Sequence, residues 1–316
     1  MSEGHYSPPQ DGASGELWGL APHPLNGDVF ATAGDDGTVR VWSVAQGRLL
    51  RKAQLDSSAR CIAWSPSGRR LVVGLGGSAR GVRQRKDGCF VLLDADTLDV
   101  VYEGRDSRHF LRDAKYSPEG DTFALASHDN KIYLYDTEQN VLRAKCDKHN
   151  ASVSSLDFSE DGAYLQSDSA DYEHLYFAAA DGAYFKLPAQ LKNVRWDSWT
   201  CRMGWPVQGC WPRTSSGKKH QEAVAAAAAE GRFGLAALAP EPTAVHRNKA
   251  KDTLAVAFQD GRIRLFRYPC LSKAAESVDM RGHTADAVVR FTCDDKHAIT
   301  IGLTDRTIMV WKIERR

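Results

Sequence analysis

A secretory leader, a membrane-spanning run, a metal-ligand spacing and a charge excess are all missing from this chain. The first stretch, MSEGHYSPPQDGASG, holds no apolar segment of the kind a leader needs. No run approaches the roughly 20 apolar residues that cross a bilayer. Cys61, Cys89, Cys146, Cys201, Cys210, Cys270 and Cys293 are odd in number and form no CxxC pair. That speaks against a disulfide framework and for reduced thiols in the cytoplasm. No His/Cys group has zinc spacing, so neither a metal nor another cofactor is expected. Lys+Arg number 41 against 40 Asp+Glu, a net charge of +1, which predicts no nucleic-acid or membrane partner. Helical segments alternating with strands are also missing, which argues against a parallel α/β fold.

What the chain has is a repeat. An Asp at a turn precedes a short β-rich run six times: Asp36-Gly-TVRVW, Asp87-Gly-CFVLL, Asp129-Asn-KIYLY, Asp171-YEHLYF, Asp260-Gly-RIRLF and Asp305-RTIMVW. Each Asp lies six positions before one strand site, held by Trp42, Leu93, Tyr135, Phe177, Phe266 and Trp311. The sites are 51, 42, 42, 89 and 45 residues apart. Because 89 is near twice the others, the spacing predicts a divergent blade over about 191–245, with Val207-QGCW as one strand. Six clear units and one degenerate unit predict an all-β fold, a seven-bladed WD-repeat β-propeller. Residues 1–15 are read as a tail or closing strand and 16–316 as one propeller.

Local chemistry supports the repeat. Alternation in VRVW and IYLY places two sets of side chains on opposite faces of a strand. Asp-Gly and Asp-Asn suit tight hairpins because they tolerate positive φ. A second turn precedes several of these runs: Ser65-Pro-Ser-Gly, Ser117-Pro-Glu-Gly and Ser159-Glu-Asp-Gly. A single blade cannot bury both of its faces, whereas radial stacking buries them. Gly282-His283 and Gly4-His5 match the Gly-His mark that opens a WD blade.

The resemblance goes beyond a repeat class. Glu16-LWGLAPHP, Ala126-SHDNKIYLYD, Ser167-DSADYEHLY, Asn193-VRWDSWTC with Gly209-CWP, Arg264-LFRYPC and Thr304-DRTIMVWK are similar, in order and spacing, to the echinoderm microtubule-associated-protein-like family. They resemble the second propeller of its tandem atypical propeller region. The coiled coil, the hydrophobic linking motif and the first propeller of that family are not in this sequence. The resemblance implies a microtubule or tubulin partner and a cytoplasmic, cytoskeletal setting, the ciliary axoneme included. The residues alone support a protein-binding platform, with a general scaffold or adaptor as the alternative.

Several motifs reduce to structure. Gly74-x-Gly76-x-x-Ala79 imitates a dinucleotide fingerprint, but Arg80-GVRQRKDG and another strand follow where a helix is required. Ser216-GKKH lacks the upstream glycine of a phosphate loop. Asp36, Asp87, Asp129, Asp171, Asp260 and Asp305 fall in different blades, so they read as turn-capping acceptors and not as convergent catalytic carboxylates. Trp196, Trp199, Trp205 and Trp211 read first as core of the divergent blade. No nucleophile, base and orienting group converge, so no catalysis is expected. Two candidate contact regions remain. Arg80, Arg83, Arg85 and Lys86 crowd the blade-two hairpin and suit an acidic peptide tail. Lys218 and Lys219 open the polar, then alanine-rich stretch 213–232.

Overall fold

The structure, a computed structural model, describes residues 15–77, 86–211 and 240–314. The first blade is β1 (Leu17–Pro22), β2 (Val29–Gly34), β3 (Thr38–Ser43) and β4 (Arg48–Gln54). The second is β5 (Ala59–Trp64), β6 (Arg70–Leu75), β7 (Cys89–Asp94) and β8 (Val100–Arg105). The third is β9 (Leu111–Tyr116), β10 (Thr122–Ser127), β11 (Ile132–Asp136) and β12 (Leu142–Cys146). Three strands make the fourth: β13 (Val153–Phe158), β14 (Tyr164–Ser169) and β15 (His174–Ala178). The fifth has β16 (Pro242–Arg247), β17 (Thr253–Phe258), β18 (Arg262–Arg267) and β19 (Ser277–Arg281). The sixth has β20 (Ala287–Phe291), β21 (His297–Gly302) and β22 (Ile308–Lys312). Every sheet is an antiparallel meander in chain order.

Burial explains the sequence pattern of each strand. The middle strands, such as β3 and β10, are buried at every position, because neighbouring blades cover both faces. The outer strands β4 and β8 alternate with solvent. The core is accordingly divided among the seams. One apolar cluster joins blades one and two, another blades two and three, and so on to the cluster of Leu17, Phe30, Trp42, Ile299 and Ile301 that joins the last blade to the first. At that closing seam Leu17 N also donates to Leu303 O at 2.9 Å. In the seam of blades two and three, Tyr135 lies 4.8 Å from both Phe90 and Phe123.

The blade count corrects the seven-bladed expectation. There are six sheets among the described residues, and none is built from 191–211. Val207 lies in a 3-10 helix, Trp205–Cys210, instead of a strand. The physical reason is local: Pro206 opens that helix and Gly204, at φ 116°, precedes it, so the segment has no run long enough for a ladder. The doubled interval counted chain length, not strands. What occupies the joint between blades four and five is a wedge, residues 191–211. Trp196 and Trp199 are buried in it and pack with Val245, Val256 and Phe266 of blade five and Tyr164 and Tyr176 of blade four. Trp211 is partly buried, and Trp205 is exposed.

Hydrogen bonds hold the wedge on both sides. The fully buried Asp157 of β13 accepts from Ser198 N at 3.2 Å, Ser198 Oγ at 2.6 Å, Trp199 N at 2.9 Å and Gln166 Nε2 at 3.2 Å. Opposite, Arg247 of β16 donates to Trp196 O and, at 2.8 Å, to Asp197 O, and stacks on Tyr268 at 5.0 Å. Asp157→Ala leaves the buried donors of Ser198 and Trp199 without an acceptor, which costs about 1–3 kcal/mol for each unsatisfied group. Urea unfolding followed by tryptophan fluorescence should show a loss of about 2–4 kcal/mol for Asp157→Ala and a smaller one for Asp157→Asn, which keeps one acceptor. An unchanged midpoint for Asp157→Ala would mean that the wedge does not hold the joint.

Candidate functional site

One recurring defect in the sheets builds a site. In β1, β5, β9, β13 and β16 the register slips by one residue near the start of the strand. The unpaired residues are Trp18, Arg60, Arg112, Ser154 and Thr243. Asp286 precedes β20 at the matching place in blade six. A bulge re-aims the side chain it displaces, and these six line one mouth of the central channel. Arg202 of the wedge lines it too, between the fourth and fifth blades, and Gln259 completes a polar cavity of about 210 Å³.

Three arginines dominate the mouth. Arg60 and Arg112 lie over the Trp18 ring at 4.4 and 4.5 Å, and Arg60 also approaches Phe110 at 5.4 Å. The Arg60 Nε approaches Asp35 Oδ1 at 3.0 Å, out of line for a hydrogen bond, and its Nη2 donates to Gly77 O at 2.8 Å. Among the described residues the guanidinium of Arg202 donates to Ser154 Oγ alone, at 3.1 Å. Arg112 makes no ion pair and no hydrogen bond among the described residues; Trp18 is its contact. Burial, then the like charges of Arg202 and Arg60, hold the Arg112 guanidinium below its usual pKa. Burial also pushes the Asp286 carboxyl up, against the pull of Arg112 and Arg202.

The opposite mouth is lined by Lys115, Asp197, His246, Arg290 and the turns at Pro24, Pro66 and Pro118. His246 Nδ1 accepts from Phe291 N at 3.0 Å. Burial first, then Arg290, Lys115 and Arg247, hold His246 well below the ordinary histidine value of 6.5.

The aspartates of the repeat sit at turns, with different partners. Asp36 accepts from Thr38 N and Oγ1 at 3.0 and 2.7 Å and pairs with Arg40 at 3.3 Å. Asp87 accepts from Gly77 N at 2.7 Å, where Gly76 and Gly77 turn the chain with φ of 121° and 70°. Asp129 accepts from Ser107 Oγ at 2.9 Å and Tyr133 OH at 2.7 Å. Asp260 pairs with Arg262 at 2.5 Å. Asp305 accepts from Thr284 N at 3.0 Å and faces His283, whose other nitrogen meets Thr300 Oγ1 at 2.8 Å beneath Trp311. Asp171 is exposed, and Glu173 is the acceptor in its blade, taking Asn150 N at 2.9 Å and facing His149 at 3.4 Å.

Of the basic candidates, Arg80, Arg83, Arg85, Lys218 and Lys219 lie outside the described residues. Lys86 is engaged: its ammonium meets Glu103 at 2.9 Å and Asp56 at 3.4 Å. All seven cysteines are unpaired; burial pushes the Cys146 thiol up to about 12. Asp168, His174 and Cys201 meet within 4.8 Å, and Asp168 accepts from Ser155 Oγ, His174 Nδ1 and the backbone of Arg202 and Met203, which ties the wedge to blade four. The channel-mouth ring escaped the sequence reading, which aligned third strands and not first ones. The signal was present as one variable residue after the first apolar residue of each inner strand: LWG, ARC, LRD, VSS, PTA.

Comparison with known proteins places this geometry. The profile of the family described as "Echinoderm microtubule-associated protein second beta-propeller" matches residues 17–313. Echinoderm microtubule-associated protein-like 3 of Homo sapiens is 30% identical over 314 residues, 98% of this chain and 31% of the relative. Echinoderm microtubule-associated protein-like 4 of Xenopus laevis is 30% identical over 96% of this chain and 30% of the relative. Echinoderm microtubule-associated protein-like 2 of Rattus norvegicus is 30% identical over 94% of this chain and 42% of the relative. The chain thus spans less than half the length of each of these three relatives.

Two measurements check the roles assigned above. Asp129→Ala and Glu173→Ala should each lower stability by about 1–3 kcal/mol, because buried donors lose their acceptor. Asp171→Ala should stay within about 0.5 kcal/mol, as exposed substitutions do; equal losses for all three would contradict the assignment. His246 is neutral in the fold and gains a proton only when unfolded, so its contribution is present above pH 6.5 and is lost as pH falls toward its depressed folded value. One such group costs at most about 1.4 kcal/mol per pH unit. Between about pH 7.5 and 5.5 the wild type should therefore lose more stability than His246→Asn, and parallel losses would refute this.

Proposed function

Since the chain belongs to the echinoderm microtubule-associated protein family, as its second β-propeller, we propose that it is a non-catalytic binding platform that associates with microtubules, with tubulin as the partner. The observation that carries the reading is the family match over residues 17–313. The microtubule association is named for relatives of which this chain spans only a part. The chemistry of the channel mouth suits a binding role: among the described residues its arginines stack on Trp18 or donate to fixed oxygens.

The segment bearing Arg80, Arg83 and Arg85 joins β6 to β7 in the chain, and Gly77, which precedes it, accepts from Arg60 of the mouth. Lys86 contributes less, being already paired with Glu103 and Asp56.

Co-pelleting of the purified chain with microtubules across a salt series tests the reading. Binding at low salt that weakens as salt rises is expected, since exposed charges are screened over about 8 Å at physiological ionic strength. Charge reversal of Arg80, Arg83 and Arg85 to Glu should weaken pelleting several-fold while the melting temperature stays the same. No pelleting at low salt would remove the microtubule reading and favour an adaptor role.

A further inference from the structure

The channel mouth holds two arginines without an ion pair among the described residues. Arg60 is engaged by Asp35 and Gly77 O. Arg112 and Arg202 are not paired with any carboxylate within 4 Å among the described residues, although both act electrostatically on Asp286 across the mouth. Asp113, directly below, has both oxygens taken by the backbone N–H groups of Ala114 and Leu156. Among the described residues Arg112 is therefore a guanidinium with neither an ion pair nor a hydrogen bond, and the guanidinium of Arg202 is held by Ser154 Oγ, both lining one cavity. A half-buried cation left without an acceptor is unfavourable, and a guanidinium presents its donors as a planar fork matched to a carboxylate.

We propose that the mouth is a binding site for a side-chain carboxylate of an acidic peptide segment, seated on Arg112 and Arg202 beside the Trp18 ring. Asp286, which lines the same cavity, opposes a second negative charge and so favours a carboxylate over a dianionic phosphate. The rest of the rim fits a peptide as well. Ser154, Thr243 and Gln259 line the rim with hydroxyl and amide groups, whose oxygens can accept from the N–H groups of a peptide. Arg112 lies over the Trp18 ring at 4.5 Å, so its fork is oriented before any ligand arrives. The bulge makes this possible: in regular register residue 112 would pair in the ladder instead of projecting into the mouth. The inference stands apart from the microtubule reading, because the site takes a carboxylate whichever protein carries it.

Titration calorimetry of the whole chain tests it, with a blocked hexapeptide of glutamate as probe, the glutamine hexapeptide as control and inorganic phosphate as competitor. The glutamate peptide should bind at low salt with an affinity that falls as salt rises, and the glutamine peptide should not bind. Arg112→Gln should weaken binding about tenfold or more, as expected when one partner of a charge pair is removed. Asp286→Asn should strengthen it several-fold, a gain that a misfolded protein cannot produce. Arg195→Gln, an exposed arginine of the wedge away from the mouth, should leave binding unchanged. Absence of glutamate-peptide binding, equal affinity of wild type and Arg112→Gln, or displacement by phosphate at matched concentration would each overturn the proposal. Peptide binding without co-pelleting would leave this site standing and remove the microtubule reading; pelleting without peptide binding would do the reverse.

Discussion

Asp157 accepts four hydrogen bonds from within blade four and from the wedge, and the ring is continuous because of them. A propeller has no central core; each blade is stable only while both neighbours cover its faces. Between blades four and five no sheet does this among the described residues, so Trp196 and Trp199 supply the apolar cover, and Asp157 and Arg247 fix the backbone that carries them. A buried carboxylate is unfavourable by itself, and burial pushes Asp157 toward protonation. Its four donors offset that cost and give the joint a defined geometry in place of a greasy contact.

The same wedge shapes the channel mouth. It places a third arginine, Arg202, in the mouth, between Ser154 of blade four and Thr243 of blade five. Elsewhere around the ring the placement is done by bulges, one per inner strand in five of the six blades. The scaffold residues on either side of each bulge, such as Leu17, Ala59, Leu111 and Val153, are buried and interchangeable in chemistry. The displaced residue is free to vary in charge and size. A binding surface can therefore change without disturbing the seams.

Function and stability thus reside in different parts of each blade. The turn acids Asp36, Asp87 and Asp305 and the His283–Thr300–Trp311 and His149–Ser167 sets are held by internal hydrogen bonds. Arg112, Arg202 and Asp286 are the opposite case, charged groups in one cavity whose mutual attraction stops short of contact. That distinction separates a structural polar network from a recognition surface, and it follows from partners and distances, not from residue type.

The periodic features were legible from the chain alone. A turn residue six positions before an aromatic or leucine site marks the third strand of every blade, because hairpin chemistry and strand burial are local constraints. The family resemblance was legible too, carried most specifically by the irregular stretch around Trp196–Cys201. Three things were not. The blade count went wrong because a doubled interval measures chain length, and only hydrogen-bond pairing decides whether a chain forms a ladder. Asp171 was read as the acceptor of blade four, while backbone geometry at the turn handed that role to Glu173 two residues on. The ring of Trp18, Arg60, Arg112, Ser154, Arg202, Thr243 and Asp286 draws on positions up to 268 residues apart in the chain. A bulge is a register relation between two strands and a channel mouth is a relation among all the blades, so neither exists until the ring has closed.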